Sequence, residues 1–546
     1  MSQAVYIGFF LVFLNVFTDK KAIKIFLNAL ILTGLMIGGY AILQQLGIGI
    51  FSEHSMQEFL GRSFATLGHP NFLGQYLLFP IWASIYFILQ GKTRTKLIYL
   101  SAALILIIAL LFTENRASIL GLVISAVVFV LFNLRIKNIY KYAISGGLIV
   151  SFIAFILMFA SSLRSITTRL YLWDGSLQVF TEHPIFGSGL ETFSLVFQKV
   201  ADSKFFELEK LYSIADRAHN EFLDILVMQG TFGLVVYLSI IVGLLYLAFF
   251  KNRSLLSLCL GSTLISVLIA NSFGFSLTTH YFLFAALIAF ILNNGVKFSA
   301  KKIRRNIFTT FLSGALIAFL IFASMNSAKI IMADDKYLLG TKHIYGGNSN
   351  YGLFLISEAT NLNPHQGDIY FQLADILFLF GRNAGDTETY EKALEALEYA
   401  GQFTGYGFRY EFAKARLNAY LEDFEEAEIS FAKAGALAPI NPIIKKEWAV
   451  MYYLMGDYKK CIEKMEEFLD SIPEYWRWKN ILDEISFEDQ EKYRLFMKHV
   501  PDFWDTAAYI SRAYAEIGDV EQSNYYLQYI EDEEAVGKIT NIQKGD

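Results

Sequence analysis

Ten apolar stretches, joined by polar connections, make up most of the first 325 residues of the chain. Most of them are long enough to cross about 30 Å of hydrocarbon as a helix that rises about 1.5 Å per residue. The pattern predicts a membrane domain of about ten transmembrane helices, and the count can change by one or two because the first stretch is short. The stretches lie near residues 4–17, 23–46, 72–89, 97–112, 117–134, 142–160, 231–250, 255–272, 277–293 and 307–325.

The connection at residues 161–230 is far longer than the others and is the one extended polar interruption in this half of the sequence. Polar side chains held at a bilayer surface cost solvation and packing energy unless they serve a function. We therefore interpret this large external loop as the part of the domain that carries the chemistry.

Beyond residue 325 the apolar residues recur at a helical period and no longer form long runs. In the stretch Tyr390–Ala400 they fall at positions i, i+3, i+4 and i+7, which is typical of an amphipathic helix. Two helix–turn–helix units, at residues 409–438 and 443–473, are offset by about 34 residues, the period of tetratricopeptide repeats. Residues 326–546 are therefore similar to a degenerate tetratricopeptide domain, and the whole chain is predicted to be all-α.

Composition separates the same two parts. The 546 residues are 54% hydrophobic and 16% aromatic, with a mean hydropathy of +0.40, which excludes a single soluble enzyme. Residues 326–546 carry 22 basic and 38 acidic residues, whereas residues 1–325 carry 24 basic and 13 acidic residues. We expect a basic transmembrane domain at 1–325 and an acidic, water-soluble domain at 326–546.

Lysine and arginine residues in alternate connections predict the orientation in the membrane. The intervening connections at 47–71, 113–116, 161–230 and 273–280 hold few basic residues, so they are expected to face outside. The N-terminus and residues 326–546 would then lie outside the cytoplasmic membrane as well. The five basic connections contain Lys20, Lys21 and Lys24; Lys92, Arg94 and Lys96; Arg135, Lys137 and Lys141; Lys251 and Arg253; and Lys297, Lys301, Lys302, Arg304 and Arg305.

The cysteines and the N-terminus add little to this picture. Cys259 and Cys461 lie in different halves and form no plausible disulfide or metal set. The first residues lack the basic start of a cleavable signal peptide, so residues 4–17 are expected to form a first membrane span.

Candidate functional residues cluster in the connections that are expected to face outside. Arg62, His69 and Asn71 lie at a turn leading into a span, where Pro70 suits the first helical turn and His69 lies near its cap. Arg116 lies where the fourth span turns into the fifth and needs water, a carboxylate, a lipid phosphate or a bound anion. A helix cap for His69 and interfacial anchors for the arginines remain open as structural alternatives.

The large loop contributes further candidates. Arg169 precedes a turn at residues 183–189 whose Gly-Ser-Gly segment is weak evidence for phosphate binding. Asp216 is a plausible N-cap, which would place His219 in the first turns of a helix. The free N–H groups and the dipole of such a helix favour a negative group nearby. A packing or capping role for His219 is the structural alternative.

Taken in order, these motifs resemble the O-antigen ligase / O-antigen polymerase superfamily. The resemblance covers roughly residues 40–250 and depends on the combination, because each piece alone is weak. Family members usually have more spans before the first motif than the two found here. The matching segments are Gly61-Arg-x-x-x-Thr-x-Gly-His-Pro-Asn-Phe-Leu-Gly74, Thr113-x-x-Arg-Ala-Ser118, Arg169 with Trp173 and His183-Pro-Ile-Phe-Gly-x-Gly189, and Ala218-His-Asn-x-x-Leu223 with Gly230-x-x-Gly233.

The resemblance implies a multi-pass glycosyltransferase of the GT-C type in the cytoplasmic membrane. Such enzymes move a glycan from an undecaprenyl-pyrophosphate carrier to an acceptor at the outer face, with no metal or other cofactor. It implies that Arg116 and Arg169 bind the pyrophosphate and that His219 is catalytic. It implies substrate-binding positions at Arg62, His69, Asn71, Glu191, Arg217 and Asn220.

The chemistry of these side chains is compatible with that activity. Arginine forks can neutralise a pyrophosphate leaving group, and a histidine can take a proton from an acceptor hydroxyl near neutral pH. The sequence around the motifs lacks a dense cluster of Asp and Glu residues of the kind that Mg²⁺ prefers. That absence supports a metal-free reaction only weakly.

Two other classes of function stay open as alternatives. A transporter or flippase for a lipid-linked glycan would place charged residues deep within several spans, whereas the middles of these spans are almost bare of charge. A membrane-anchored repeat scaffold would leave the arginines and the histidine unexplained. Ligase and polymerase differ only in the acceptor, which can be a glycan, a lipid, a wall polymer or a protein. The repeats are expected to bind that acceptor or a protein partner, and no nucleic acid is implicated.

Overall fold

The computed structural model describes most of the chain. Within the described residues every regular element is helical and no β-strand occurs, which confirms the all-α prediction. The chain forms two compact units, residues 1–193 with 215–301 and residues 194–214 with 302–546. The description leaves out residues 1, 49–60, 134–138, 141–145, 148–149, 151–163, 209–212, 296–306, 404–406, 482–483, 487–488, 491–492, 495–502, 531–532 and 545–546.

The first unit contains the apolar helices. Five described helices are long and apolar enough to cross a membrane: α2, α3, α4, α5 and α9 with its π-helical extension Leu247–Lys251. The helices α1 and α10 are apolar but shorter. The predicted span at 142–160 falls largely outside the described residues. The bounds of all helices up to residue 295, including α7 and α8 of the large loop, are α1 Ser2–Val16, α2 Lys20–Gln45, α3 Pro70–Gln90, α4 Thr93–Phe112, α5 Arg116–Asn133, α6 Arg164–Glu182, α7 Phe193–Phe197, α8 Ser203–Leu208, α9 Glu221–Tyr246, α10 Leu255–Asn271 and α11 Thr278–Gly295.

Helix α3 is the buried centre of this unit. Leu73, Leu77 and Ile81 are fully buried, and the helix packs against α2, α4 and α10. Small residues allow the close approach: a Cβ atom built on Gly34 of α2 would lie 2.8 Å from Pro80. Close packing at small residues is the usual means by which helices associate in a lipid environment. The candidate site begins at the N-terminal end of this helix, at Pro70.

The large loop is more ordered than its polar sequence suggested. Helix α6 accounts for 19 of its residues, and the short helices α7 and α8 follow. Residues 194–214 belong to the second unit, where the side chain of Leu195 lies against the backbone of Gly407. The loop therefore leaves the membrane unit after Phe193 and returns to it at Ala215.

The second unit is a row of paired helices. Helix α16 begins at residue 408 and α18 at residue 442, which are 34 residues apart. Each is followed by a helix with an aspartate N-cap, Asp423 for the helix at 424–437 and Asp457 for the helix at 458–470. The first helix after residue 301, α12, is 39 residues long and passes through residue 325 without a break. The bounds are α12 Ile307–Tyr345, α13 Ser349–Leu362, α14 Gly367–Ala384, α15 Thr387–Gly401, α16 Phe408–Tyr420, α17 Phe424–Leu437, α18 Pro442–Met455, α19 Tyr458–Asp470, α20 Phe503–Glu516, α21 Val520–Leu527 and α22 Glu533–Lys544.

Candidate functional site

Arg62 joins the first two sequence motifs. Its Nε donates to the carbonyl oxygen of Thr113 over 2.8 Å, and its Nη2 donates to Oδ1 of Asn71 over 3.0 Å. Asn115 closes the same group, because its Nδ2 donates to the carbonyl oxygen of Asn71 over 2.8 Å. The segment before α3 and the turn between α4 and α5 are therefore held together by side-chain hydrogen bonds. Thr113 and Asn115 were not among the predicted site residues.

Three arginines from separate parts of the chain come within electrostatic range of one another. Burial lowers the pKa of Arg62; the charge of Glu114 opposes that shift, and those of Arg116 and Arg169 add to it. Burial also lowers the pKa of Arg169, and Arg116 adds to that effect. Like charges that are partly withdrawn from water repel one another. The structure therefore brings together a cationic group that a bound anion would stabilise.

His69 caps helix α3, as the sequence predicted. Its Nδ1 accepts a hydrogen bond from the backbone N–H of Asn71 over 3.0 Å, and Pro70 occupies the first helical position. Burial lowers the pKa of His69 to about 4, and the charges of Arg62 and His219 act in the same direction. The imidazole is therefore neutral at neutral pH, as an Nδ1 acceptor must be. Its role in binding substrate stays a prediction.

The predicted start of helix α9 was wrong. The helix begins at Glu221 and its N-cap is Asn220, whose Oδ1 accepts hydrogen bonds from the backbone N–H groups of Phe222 and Leu223. Asp216 lies in the irregular segment before the helix. His219 precedes the cap and has a left-handed backbone conformation with φ of +52°. This conformation is uncommon for a residue with a side chain, and tertiary contacts must hold it.

Two side chains hold the backbone of Ala218, the residue before His219. The backbone N–H of Ala218 donates to Oδ1 of Asp224 over 2.8 Å, and the carbonyl oxygen of Ala218 accepts from Nε1 of Trp173 over 3.1 Å. Ala218 and Asp224 are buried. We call Trp173 and Asp224 the Ala218 clamp. The clamp and the Asn220 cap fix the backbone on both sides of His219.

Phe275 forms one wall beside the histidine. Its ring lies 5.5 Å from that of His219 and 5.4 Å from that of Phe72, and the Arg217 guanidinium lies 5.9 Å from its centre. Burial lowers the pKa of His219, the charge of Asp216 raises it, and that of Arg169 lowers it further, with a net lowering. The imidazole is thus neutral at neutral pH and can accept a proton. The sequence analysis missed Phe275, and an aromatic residue in the short connection between two apolar stretches was the available signal.

Arg217 pairs with Glu191. Its Nη2 lies 2.5 Å from Oε2 of Glu191, and its Nη1 lies 3.4 Å from the sulfur of Met228. Burial acts to lower the pKa of Arg217, but the hydrogen bond and charge of Glu191 raise it above the ordinary value. Glu191 is well exposed, and exposed ion pairs contribute little to stability. The two predicted residues are adjacent, and an anionic ligand could replace the carboxylate.

The glycine-rich turn is a structural joint with helix α9. The helix breaks at Gly230, so the carbonyl groups of Val227 and Met228 instead accept from the backbone N–H groups of Ser188 and Gly189 over 2.9 and 3.0 Å. These two amides are therefore engaged within the protein, which argues against a phosphate cradle at Gly-Ser-Gly. In return, the N–H groups of Thr231 and Phe232 donate to the carbonyls of Pro184 and Ile185 over 2.9 and 3.1 Å.

We expect the joint to reject any side chain at its two glycines. A Cβ atom on Gly187 would lie 2.3 Å from the carbonyl carbon of Met228, and one on Gly230 would lie 2.2 Å from the oxygen of Ile185. Gly187→Ala and Gly230→Ala should each destabilise the protein by about 1–3 kcal/mol in thermal unfolding. Gly243→Ala is the matched control, because Gly243 lies in the same helix with open space around it. Parental melting of both variants would show that the joint is dispensable.

Among the residues that the structure describes, no three His, Cys, Asp or Glu side chains are grouped closely enough to hold a metal ion. The site residues gathered here are instead arginines, histidines, amides and single carboxylates. The expectation of a reaction without metal stays a prediction.

Comparison with known proteins supports the resemblance that the motifs suggested. Residues 79–238 match the family model described as O-Antigen ligase, a segment that includes Arg116, Arg169 and His219 but begins after Arg62. A protein of Rickettsia conorii named "Putative polysaccharide ligase" is 27% identical over 210 residues, or 35% of this chain. The chain spans about half the length of that relative, 49%. These matches support the O-antigen ligase family, and the family model ends at residue 238, before the C-terminal helices.

Proposed function

We propose that this protein transfers a glycan from an undecaprenyl-pyrophosphate carrier to an acceptor hydroxyl at the outer face of the cytoplasmic membrane. The observation that carries the proposal is the convergence of Arg62, Arg116 and Arg169 within electrostatic range of one another. His219 lies in the same region, because the charge of Arg169 lowers its pKa. The family match over residues 79–238 supports the same reaction class. The glycosyltransferase therefore builds or attaches a cell-surface polysaccharide.

In this reaction the arginines act on the leaving group. The acceptor oxygen forms a bond to the anomeric carbon of the donor sugar while the bond from that carbon to the pyrophosphate oxygen breaks. The electron pair of the broken bond stays on the pyrophosphate, which leaves with its polyprenyl chain. Arg116 and Arg169 stabilise that developing charge through charge-assisted hydrogen bonds. Arg62 adds positive charge from the position that Asn71 and Thr113 give it.

His219 acts on the acceptor. Its neutral imidazole takes the proton of the attacking hydroxyl, and the imidazolium releases that proton to water afterwards. Asp216, whose charge raises the pKa of His219, stabilises the protonated form. The Arg217–Glu191 pair and Asn220 border the same region and orient the substrates. His69 supports the site by capping α3.

Transfer by the purified protein tests this proposal. The full chain in nanodiscs would receive a polyprenyl-pyrophosphate glycan and a candidate acceptor, and product and free polyprenyl pyrophosphate would be separated by chromatography. We expect both to appear in equal amounts. Movement of intact donor between leaflets with no bond cleavage would instead support a flippase. Analysis of the surface glycan from a deletion strain, for chain length and attachment point, identifies ligase or polymerase.

The second unit is proposed to recruit the acceptor or a protein partner. Its paired helices and the 34-residue spacing of α16 and α18 support a tetratricopeptide-like module, and such helical arrays bind peptides and proteins. The loop residues 194–214 pack within this unit and are covalently continuous with Glu191 and Arg217.

The Ala218 clamp gives a prediction for the geometry of His219. Asp224→Leu removes the acceptor for the Ala218 N–H, whereas Asp224→Asn keeps an oxygen in its place. We expect Asp224→Leu to lower kcat by about a hundredfold, because a misplacement of roughly 1 Å has effects of that size. Trp173→Phe, which loses the Nε1 donor, should lower kcat in the same direction.

Separate effects on kcat and on KM distinguish a role of Asp224 in positioning His219 from a general loss of structure. The KM for donor should change little, and Asp224→Asn should retain most of the parental kcat. If Asp224→Asn and Asp224→Leu lose activity equally, the hydrogen bond to Ala218 is not the reason that the carboxylate matters.

A further inference from the structure

The turn at residues 184–190 presents three large apolar side chains to its surroundings. Ile185 is 62% exposed, Phe186 is 72% exposed and Leu190 is 51% exposed. Single exposed apolar side chains are normal on protein surfaces, but several within six residues mark a contact surface. We call Ile185, Phe186 and Leu190 the apolar tip.

The apolar tip continues the exposed apolar face of helix α9. The Phe186 ring lies 6.0 Å from that of Phe232, which is 62% exposed in the first turn after the Gly230 break. Farther along the helix Val235 is 56% exposed. Helix α9 is long and apolar enough to cross a membrane, and in a membrane its exposed apolar face would contact lipid. The tip and the lipid-contacting face therefore form one surface.

The tip also has a fixed position on that helix. The joint supplies backbone hydrogen bonds in both directions, from Ser188 and Gly189 to α9 and from Thr231 and Phe232 to the turn. Turn and helix are in direct contact at the joint, since a Cβ atom on Gly187 or Gly230 would clash with the facing backbone. The three side chains of the apolar tip are therefore exposed to water unless lipid or protein covers them.

We propose that the apolar tip inserts into the hydrocarbon edge of the membrane leaflet on the side of the candidate site. The proposal rests on the membrane crossing of α9 and is independent of glycan transfer. An aromatic and two aliphatic side chains beside a span suit the boundary between headgroups and acyl chains. Glu191 follows Leu190 directly, so insertion holds the Glu191–Arg217 pair at the level of lipid phosphate groups.

Site-directed spin labelling of the full chain in nanodiscs tests the insertion. A nitroxide at Phe186→Cys should report a depth of about 5–10 Å below the headgroup boundary, from its accessibility to oxygen and to a water-soluble nickel complex. Leu190→Cys provides a second position if the first variant folds poorly. Val235→Cys is the lipid reference and Glu182→Cys, at an exposed polar residue shortly before the turn, is the water reference. Cys259 and Cys461 are both buried, so the unsubstituted chain measures background labelling.

The accessibility of the label to oxygen and to nickel shows whether lipid, water or protein surrounds the apolar tip. High oxygen and low nickel accessibility, as at Val235, is the expected result. Nickel accessibility equal to that at Glu182 would place the tip in water and overturn the proposal. Low accessibility to both reagents, with an immobilised label, would indicate cover by protein and would overturn it as well. None of these readings depends on whether the chain transfers glycan.

Discussion

His219→Ala should transfer glycan at least about a hundredfold more slowly than the parent, because loss of general acid–base help costs about 10²–10⁴-fold in rate. His219→Gln should be similarly slow, since glutamine fills the space but takes no proton. Both variants should insert and melt like the parent, because the backbone at 219 is held by its neighbours Ala218 and Asn220. Single-turnover assays with purified lipid-linked donor measure the loss.

A second histidine in the same loop provides the matched control. His183 is exposed at the start of the glycine-rich turn, so His183→Ala should keep most of the transfer rate. If a well-folded His219→Ala protein also keeps most of its rate, the catalytic role of His219 is lost, and the arginines alone must carry the mechanism.

The pH dependence of transfer follows from the pKa of His219. Burial lowers this pKa below its ordinary value of about 6.5, so the imidazole stays neutral to more acidic pH than a free histidine. A general base works in its neutral form, and the rate should therefore fall only below about pH 6.5. An acidic limb centred above that value would contradict the assignment of His219 as the base.

Arg169→Ala should reduce transfer by about 10²–10³-fold, the effect of removing one donor that stabilises developing negative charge. Arg169→Lys should remain impaired, because an ammonium cannot reproduce the two-pronged geometry of a guanidinium. The loss should fall on kcat/KM for the lipid-linked donor. Arg94→Ala is the control, since Arg94 is an exposed arginine in the first turn of α4 in the same membrane domain.

The melting temperature measured without donor gives an independent test of the role of Arg169. Arg169 is half-buried and its charge repels those of Arg62 and Arg116. Arg169→Ala should therefore melt at or above the temperature of the parent, because it relieves that repulsion. A purely structural arginine would lower the melting temperature on removal. A fully active Arg169→Ala protein would exclude the proposed role in binding pyrophosphate.

Local physics explains what the sequence by itself determined. Apolar runs predicted the membrane helices because helix length and hydropathy are properties of a single segment. Pro70 and His69 identified the start of α3, since a helix start depends on only a few neighbouring residues. The offset between α16 and α18 was visible because each helical hairpin forms from contiguous sequence. The family motifs also selected the arginines and histidine that the structure brings together.

Contacts between distant segments decided the rest. Asp216 and Asn220 are both good capping residues, and the sequence alone favoured Asp216, which is not the cap. Trp173 and Asp224 hold the backbone of Ala218 outside the helix, so the helix begins only after Asn220. The Gly-Ser-Gly segment suggested an anion cradle, but two of its amides donate to carbonyl groups of α9 just before the break at Gly230.

Tertiary contacts also decided which residues form the site. Phe275 belongs to it because the connection that carries it packs against His219. The large loop is shared between two units because residues 194–214 pack with the C-terminal helices, a choice made by tertiary contacts that no local pattern encodes.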